Sequence, residues 1–469
     1  MANRKKTGAR AESFSRRALD PAQLAADDHR YIWHPFTQMQ DWLQEEPLII
    51  ERGEGSYLID VQGRRYLDGV SSLWCILHGH NRPEINAAIH EQVERISHST
   101  SLGLSNVPAI QLARELVEVA PPGLTRVFYS DNGSTAVEIA LKMAFQYWQQ
   151  RPDPRPTKRT FIALTNGYHG DTLGAVSVGG IDLFHQVYKP LVFPVAHAPS
   201  AYCYRCYLGK SYPSCGLACL DDVEATIARH ADEACAVVME PRIQGAGGMI
   251  AFPPGWTRRV WEAAKRHGLL FIADEVATGF GRTGAMFACE AEGIAPDLLC
   301  VAKGLTGGYL PLAATLATEE VFNAFLAPYE SRRTFFHGHT FTANPVACAA
   351  ALANLAIFRN DDTLSRLPER IADLAEGLQR FRELEHVGDV RQAGLMVGIE
   401  LVEDRATKAE YPYAAKTGIR VVQEARRRGV IIRPLGDINV LMPHLTFSKE
   451  ELAALLDVTY ESIKAVTEG

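Results

Sequence analysis

The sequence Phe271-Ile-Ala-Asp-Glu-Val-Ala-Thr-Gly-Phe-Gly-Arg-Thr-Gly284 places Asp274 directly after a run of apolar residues, 269–273. Such a run predicts a buried strand. A second apolar run, residues 298–302, ends directly on Lys303. Because the ends of parallel strands are where catalytic groups are usually placed, the pattern predicts an α/β protein in which Asp274 and Lys303 share one site.

Lys303 is predicted to act as a nucleophilic amine. Burial disfavours the charged ammonium, lowers the pKa of the side chain and frees the neutral form. Pyridoxal phosphate requires such a lysine for covalent attachment, and a carboxylate such as Asp274 to pair with its protonated pyridine nitrogen. For these two residues alone, an ion pair that only joins two strands is an equally good interpretation.

The overall composition is that of an ordinary soluble globular protein. The chain has 469 residues, which suggests two domains or one large domain with a smaller lobe. A net charge of -7 gives no indication of nucleic-acid binding, and we find no apolar run of membrane-spanning length. Residues 1–28 are predicted to form a disordered tail. They lack the apolar segment of a secretory signal, so a cytoplasmic location is expected.

Four of the nine cysteines are clustered at Cys203, Cys206, Cys215 and Cys219. Without a secretion signal, such spacing favours a metal over disulfides, and four thiolates complete a tetrahedral structural zinc site. The stretch is also rich in Tyr, Pro and Gly, as an ordinary loop is. Both interpretations stay open, and no metal is predicted in the catalytic site.

Along the chain, alternating strands and helices begin near residue 126. A turn at residues 130–135 precedes a helix at 136–148, and Gly133 and Ser134 in that turn offer either an anion site or simple helix capping. The domain organisation predicted has four parts: the tail at 1–28, a first part of a small domain at 29–70, a large cofactor-binding domain at 71–358 with a cysteine-rich insertion at 202–220, and a small α+β domain at 359–469.

With these motifs in view, the sequence resembles the class III, fold-type I aminotransferases from about Tyr31 to its C-terminus. The segment 274–284 followed by Lys303 carries that likeness. Within the class, further motifs resemble the branch that serves biotin biosynthesis: Trp33-His-Pro-Phe-Thr-Gln-Met39, Asp68-Gly-Val-Ser-Ser-Leu-Trp74, Asn166-Gly-Tyr-His-Gly-Asp-Thr172, Gln244-Gly-Ala-Gly-Gly-Met249, Phe336-His-Gly-His-Thr-Phe341 and Ile432-Arg-Pro-Leu-Gly436.

The resemblance implies a large, mixed but mostly parallel sheet flanked by helices, with a smaller α+β domain built from both ends of the chain. It implies pyridoxal 5'-phosphate as the cofactor and a homodimer with active sites at the subunit interface. The expected reaction converts 8-amino-7-oxononanoate to 7,8-diaminononanoate, with S-adenosyl-L-methionine as amino donor. The alternative is another class III enzyme, acting on ω-amino acids or diamines.

The resemblance also implies roles for individual residues. Lys303 would bind the cofactor covalently and move protons, and Asp274 would bind the pyridine nitrogen. Val276 and Tyr168 would pack on the two faces of the ring. The phosphate would be held by Gly133 and Ser134 and by His339 and Thr340 of the partner subunit. The substrate-binding residues would be Phe36, Trp74, Tyr168, Lys303, Gly338 and Arg433, with the Arg433 guanidinium suited to a carboxylate.

Two positions depart from the form that uses S-adenosylmethionine. Phe36 stands where that form has Tyr, and His339 stands where it has Pro. Both residues resemble those of family members that use L-lysine as donor. The loss of one hydroxyl changes binding by only about 0.5–1.5 kcal/mol, so L-lysine remains an alternative donor.

Overall fold

The computed structural model describes residues 20–469. Its strands are β1 Ile50–Glu54, β2 Tyr57–Asp60, β3 Arg65–Asp68, β4 Leu124–Ser130, β5 Thr160–Leu164, β6 Ala196–Ala198, β7 Ala234–Met239, β8 Ile243–Gln244, β9 Ile250–Ala251, β10 Leu270–Asp274, β11 Leu298–Val301, β12 Ala313–Thr318, β13 Val387–Ala393, β14 Met396–Leu401, β15 Val430–Ile431, β16 Arg433–Leu435 and β17 Ile438–Leu441.

The helices are α1 Pro21–Tyr31, α2 Met39–Trp42, α3 Ser71–Trp74, α4 Pro83–Arg95, α5 Val107–Val119, α6 Gly133–Gln150, α7 Leu173–Val178, α8 Asp182–His185, α9 Cys219–His230, α10 Trp256–Arg266, α11 Glu319–Asn323, α12 Pro345–Asn360, α13 Leu367–Leu378, α14 Thr417–Arg427 and α15 Lys449–Thr467.

The centre of the molecule is a seven-stranded sheet in the order β4-β12-β11-β10-β7-β5-β6. The five strands from β11 to β6 run parallel, whereas β12 pairs antiparallel with both β11 and β4. Every residue of β7, β10 and β11 is buried. This is why their sequences read as unbroken apolar runs, and it confirms the predicted α/β fold with a mixed, mostly parallel sheet.

Two smaller sheets combine distant parts of the chain. The first has the order β1-β2-β3-β15, so that strands near residue 60 share a sheet with Val430–Ile431. The second has the order β13-β14-β17-β16 and ends on the strand that begins with Arg433. Segments from both ends of the chain therefore pair in the first of these sheets.

The N-terminal helix corrects the predicted extent of the tail. The tail was expected to reach residue 28, but α1 begins at Pro21. Asp20 caps this helix by accepting a hydrogen bond from the Ala22 backbone N–H at 3.0 Å, and Pro21 has the fixed φ that suits a first helical position. The remainder of the predicted tail, residues 1–19, lies outside the described residues.

The cysteine-rich segment packs against β14 through charged groups. Tyr202 and Arg205 both donate hydrogen bonds to the Glu400 carboxylate, with Arg205 Nε at 2.6 Å. All four clustered cysteines line one small cavity of about 20 Å³. Within residues 20–469, however, no three His, Cys, Asp or Glu side chains are arranged to hold a metal ion. Over the same residues, no helix is long and apolar enough to cross a bilayer.

Candidate active site

Asp274 and Lys303 lie side by side at the ends of two central strands. Asp274 is the last residue of β10 and pairs in register with Cys300 on β11, and Lys303 follows two residues after the end of β11. The parallel pairing of these strands brings both side chains to one edge of the sheet. The structure therefore confirms that the two apolar runs end at a common place.

Asp274 is held by two donors in a buried position. Its Oδ2 atom lies 2.7 Å from His169 Nδ1, and its Oδ1 atom accepts a hydrogen bond from the Val276 backbone N–H at 3.0 Å. Burial opposes protonation of His169, but the hydrogen bond and charge of Asp274 outweigh it and raise the pKa of the imidazole. Sequence reasoning passed over His169, although it directly follows Tyr168 in the 166–172 motif.

Lys303 extends into a cavity of about 600 Å³. Its Nζ atom lies 5.5 Å from the centroid of the Trp74 ring and makes no hydrogen bond to any residue in 20–469. Burial lowers the pKa of Lys303, against the opposing charges of Asp274 and Glu240. The cavity is lined by Leu73, Trp74, Cys75, Asn132, Gly133, Ser134, Tyr168, His169, Gly170, Asp171, Thr172, Glu240, Asp274, Val276, Ala277 and Lys303.

The N-terminus of α6 forms one wall of this cavity. Asn132 caps the helix with a capping box that includes Thr135, and Gly133 is the first helical residue. A Cβ atom at Gly133 would lie only 2.5 Å from Val276 Cγ1, and one at Gly170 would lie 2.3 Å from Ser134 Oγ. The backbone here approaches its neighbours too closely for side chains, and the first N–H groups of a helix favour an anion.

The opposite wall carries Tyr168. Its hydroxyl donates to Asp171 Oδ2 at 2.7 Å, and burial, followed by that hydrogen bond, raises its pKa well above the ordinary value. Phe184 lies 6.3 Å from the Tyr168 ring, and Phe36 lies 5.3 Å from Phe184. Phe184 thus lies between Phe36 and Tyr168, and the Phe36 side chain is 60 % exposed in the single chain.

Arg433, the first residue of β16, is a partly buried cation close to Tyr168. Burial lowers the pKa of its guanidinium, and the neighbouring Tyr168 side chain offsets this effect only in part. No carboxylate in residues 20–469 forms an ion pair with Arg433. A partly buried guanidinium of this kind is suited to a carboxylate ligand.

Three of the predicted residues lie apart from Lys303 within one chain. Gly338 lines a separate cavity of about 300 Å³, together with Leu102 and Phe128. His339 Nδ1 lies 2.8 Å from Asp131 Oδ2, and Thr340 is exposed on the same loop. The single chain therefore assembles the predicted site around Lys303 without this loop.

Comparison with known proteins places these observations in a family. The family model for aminotransferase class-III matches residues 39–463. The chain belongs to the class III aminotransferases. An adenosylmethionine-8-amino-7-oxononanoate aminotransferase of Geobacter sulfurreducens is 56 % identical over 451 residues, covering 96 % of this chain and 99 % of the relative. The Aquifex aeolicus protein of the same name is 52 % identical, covering 95 % and 98 %.

Solved structures of class III aminotransferases show the same fold. The adenosylmethionine-8-amino-7-oxononanoate aminotransferase of Methanocaldococcus jannaschii has a TM-score of 0.90 at 48 % identity, covering 95 % of this chain and all of that one. An (S)-enantioselective omega-transaminase from Thermomicrobium roseum also reaches 0.90, at 34 % identity, covering 96 % and 99 %. The fold is therefore shared across substrate classes, and it is the fold-type I architecture.

The site fits the cofactor of the class III aminotransferases, pyridoxal 5'-phosphate. A lysine amine with no hydrogen-bond partner in residues 20–469 lies in the same cavity as a carboxylate, Asp274, and as a helix N-terminus crowded against Val276. These three groups match an aldehyde, a pyridine nitrogen and a phosphate, respectively. Glu240 is a further group that sequence reasoning left unassigned: it accepts from the Tyr168 and Gly245 backbone N–H groups, and burial raises its pKa to about 7.

Proposed function

We propose that this class III aminotransferase converts 8-amino-7-oxononanoate to 7,8-diaminononanoate, a step of biotin biosynthesis, in the cytoplasm. The observation that carries the assignment is Arg433, a partly buried guanidinium beside Tyr168 with no carboxylate partner in residues 20–469. The proposed acceptor has a carboxylate at one end and a ketone at the other. The 56 % and 52 % identical relatives that bear the corresponding name support the same acceptor.

The cofactor contacts follow from the walls of the cavity. Gly133 and Ser134 would hold the phosphate at the N-terminus of α6, where backbone N–H groups and the helix dipole favour an anion. Asp274, fixed by His169 and the Val276 N–H, would bind the pyridine nitrogen. Tyr168 and Val276 would contact the two faces of the ring. When bound, the cofactor supplies an aldehyde that takes up the amino group and a ring that accepts electrons.

Lys303 would carry the proton in both halves of the reaction. Its Nζ atom removes a proton from the carbon of the donor and returns one to the carbon of the acceptor. The same amine must be neutral for the first task and charged for the second. Burial lowers its pKa, and this favours the neutral form relative to an exposed lysine.

The acceptor would lie between Arg433 and Lys303. The Trp74 ring centroid lies 5.5 Å from the lysine amine, and a Cβ atom at Gly245 would lie 3.1 Å from the indole. An apolar wall of this kind suits the hydrocarbon chain of the acceptor. The distance from Arg433 to Lys303 would have to match the distance between the carboxylate and the ketone of the acceptor. The site would therefore select the acceptor by its length as well as by its charge.

S-adenosyl-L-methionine is the proposed amino donor, since the relatives' names specify it. L-lysine is the alternative, favoured by Phe36 and His339. Phe36 packs edge-on against Phe184 and brings no hydroxyl to this side of the cavity. If Phe36 contacts the donor, the donor pocket would be less polar than a tyrosine at position 36 would make it.

A homodimer is proposed as the active form. Gly338, His339 and Thr340 lie outside the cavity of their own chain, on a loop that exposes Phe336 and Phe341. Leu102, which faces the same separate cavity as Gly338, is 71 % exposed. Covering this apolar surface with a second copy would remove it from water and bring the loop of one subunit to the cofactor of the other.

The second candidate is an ω-amino acid or diamine aminotransferase. The Thermomicrobium roseum omega-transaminase supports it, because the same fold at a TM-score of 0.90 serves a different substrate there. Both candidates use the same residues around Lys303. Arg433 is suited to a carboxylate and so argues against a diamine, whereas ω-amino acids also carry a carboxylate and must be separated from the proposed acceptor by experiment.

The deciding experiment is a donor and acceptor screen with purified protein loaded with pyridoxal phosphate. We expect 7,8-diaminononanoate, detected by mass spectrometry, from 8-amino-7-oxononanoate with S-adenosyl-L-methionine or L-lysine. ω-Amino acids and diamines with pyruvate serve as the comparison. No diamine with either donor, alongside turnover of an ω-amino acid, would overturn the proposal in favour of the second candidate.

A further inference from the structure

The segment that carries Trp74 has an unfavourable backbone. Ser71, Ser72 and Trp74 have φ values of 52°, 60° and 68°, in the left-handed region that residues with a Cβ atom rarely occupy. Three such residues within four positions do not persist unless neighbouring groups hold them. The segment forms part of the wall of the cavity that contains Lys303.

Asp68 supplies the contacts that hold this segment. The residue is fully buried, and both of its carboxylate oxygens accept a hydrogen bond from the Ser72 backbone N–H, at 2.9 and 2.7 Å. The Ser72 hydroxyl donates to Asp68 Oδ2 at 3.3 Å, and His80 Nε2 lies 2.8 Å from the same oxygen. These contacts satisfy a buried charge, and they fix the residue with the unusual φ of 60° and ψ of -86°.

A second contact fixes the other side of the turn. The Ser71 hydroxyl donates to the Met442 carbonyl at 2.6 Å, which ties the segment to the residue that follows β17. The Trp74 indole then has little freedom. It is 5 % exposed and packs against the backbone of Gly245, where a Cβ atom would lie 3.1 Å away.

We propose that Asp68 is a positioning residue that sets the substrate wall by fixing Trp74 through Ser72. This inference rests on the proposed function, in which Trp74 contacts the acceptor. Asp68 itself lies behind the wall and does not line the cavity. Without its carboxylate, the segment relaxes to negative φ values and the indole moves away from its place near Lys303.

Asp68→Asn tests the proposal because one amide oxygen cannot replace two carboxylate oxygens. The NH₂ group of the amide is itself a hydrogen-bond donor and cannot accept from the Ser72 N–H. Asp60→Asn is the matched control. Asp60 is also fully buried in the same small sheet and holds a turn, accepting from the Gln62 and Arg64 backbone N–H groups, but no residue of that turn lines the cavity. We expect faster amide hydrogen exchange over residues 69–76 in Asp68→Asn only, in protein without cofactor or substrate.

The kinetic readout uses the acceptor. We expect Asp68→Asn to lower kcat/KM for 8-amino-7-oxononanoate at least about tenfold, mainly through KM, whereas Asp60→Asn stays close to wild type. In a Trp74→Ala background, adding Asp68→Asn should change kcat/KM by less than about twofold, because the residue it acts through is gone.

Three results would overturn the proposal: unchanged exchange over residues 69–76, equal kinetic losses in the Asp68 and Asp60 variants, or an Asp68→Asn loss that persists in full without Trp74. Failure of the wild-type protein to make the diamine would instead overturn the proposed function. The exchange measurement separates the two failures, since it requires no substrate.

Discussion

Residues 20–469 contain two buried or partly buried lysines of opposite character. Lys158 is 5 % exposed and donates to the Ala231 and Ala234 carbonyls, whereas the Lys303 amine has no hydrogen-bond partner in residues 20–469. We expect Lys303→Met to lower transamination by roughly 100- to 10,000-fold, the range of a lost general acid–base group. Lys158→Met should lower the unfolding free energy and leave turnover close to wild type. Equal turnover losses in both variants would contradict the assignment.

Lys303 also predicts a pH dependence of stability in the cofactor-free protein. Burial lowers the pKa of its amine below the ordinary 10.5 that the unfolded chain restores. Between the two pKa values the unfolded state binds more protons, so the unfolding free energy rises with pH across that window. Urea unfolding should therefore show wild type gaining stability relative to Lys303→Met as the pH rises toward 10.5. A difference that stays constant or falls would contradict the lowered pKa.

His169 is predicted to act through Asp274. His169→Leu removes the donor 2.7 Å from Asp274 Oδ2, and a hydrogen bond to a charged group contributes about 1.5–3 kcal/mol. We expect the dissociation constant of pyridoxal phosphate, measured by absorbance titration, to rise roughly 10- to 100-fold. His169→Asn places an amide N–H near the position of Nδ1 and should recover most of the affinity. Loss of affinity in His169→Leu with no recovery in His169→Asn would indicate a packing role instead.

At the scale of single elements, the first turn of α6 joins helix capping to phosphate binding. Gly133→Ala would place a methyl group 2.5 Å from Val276 Cγ1 and push apart the two walls of the cofactor site. Thr135→Ala is the control, because it removes the capping box from the same turn without adding bulk. We expect weaker pyridoxal phosphate binding in Gly133→Ala alone. Thr135→Ala should lower the unfolding free energy by about 1 kcal/mol, and thermal melts with and without cofactor separate the two effects.

Strands β10 and β11 show how much of the site the sequence predicts. Apolar runs ending on Asp274 and Lys303 were sufficient to place both groups, because buried parallel strands leave an unbroken apolar signal. The contact of His169 with Asp274 joins residues 105 positions apart, and no periodicity encodes it. The turn held by Asp68 could not be predicted either, because the residue type serine does not indicate a positive φ.

Across the whole molecule, the proposed site depends on the large sheet and on both of the four-stranded sheets. Lys303 and Asp274 come from the large sheet, Trp74 follows β3, and Arg433 begins β16 in the C-terminal sheet. Buried charges connect these parts. Arg391 donates to the Gly248 carbonyl and to Glu400, and Glu400 also binds Arg205 of the cysteine-rich segment. The position of Arg433 relative to Lys303 is therefore set by packing between sheets, which local sequence patterns do not report.

The loop from Phe336 to Phe341 is predicted to complete the active site of the partner subunit in the dimer. If His339 and Thr340 act on the partner's cofactor, each site takes Lys303 from one subunit and this loop from the other. We expect a His339→Ala, Thr340→Ala variant and a Lys303→Met variant each to be nearly inactive, and both to sediment as dimers. After subunits are exchanged, half of the dimers are mixed, and one of the two sites in each mixed dimer has every residue intact. Random mixing therefore restores about one quarter of wild-type activity. If both variants are dimeric and exchange subunits but activity does not return, the loop acts within its own chain, and the proposed interface site is wrong.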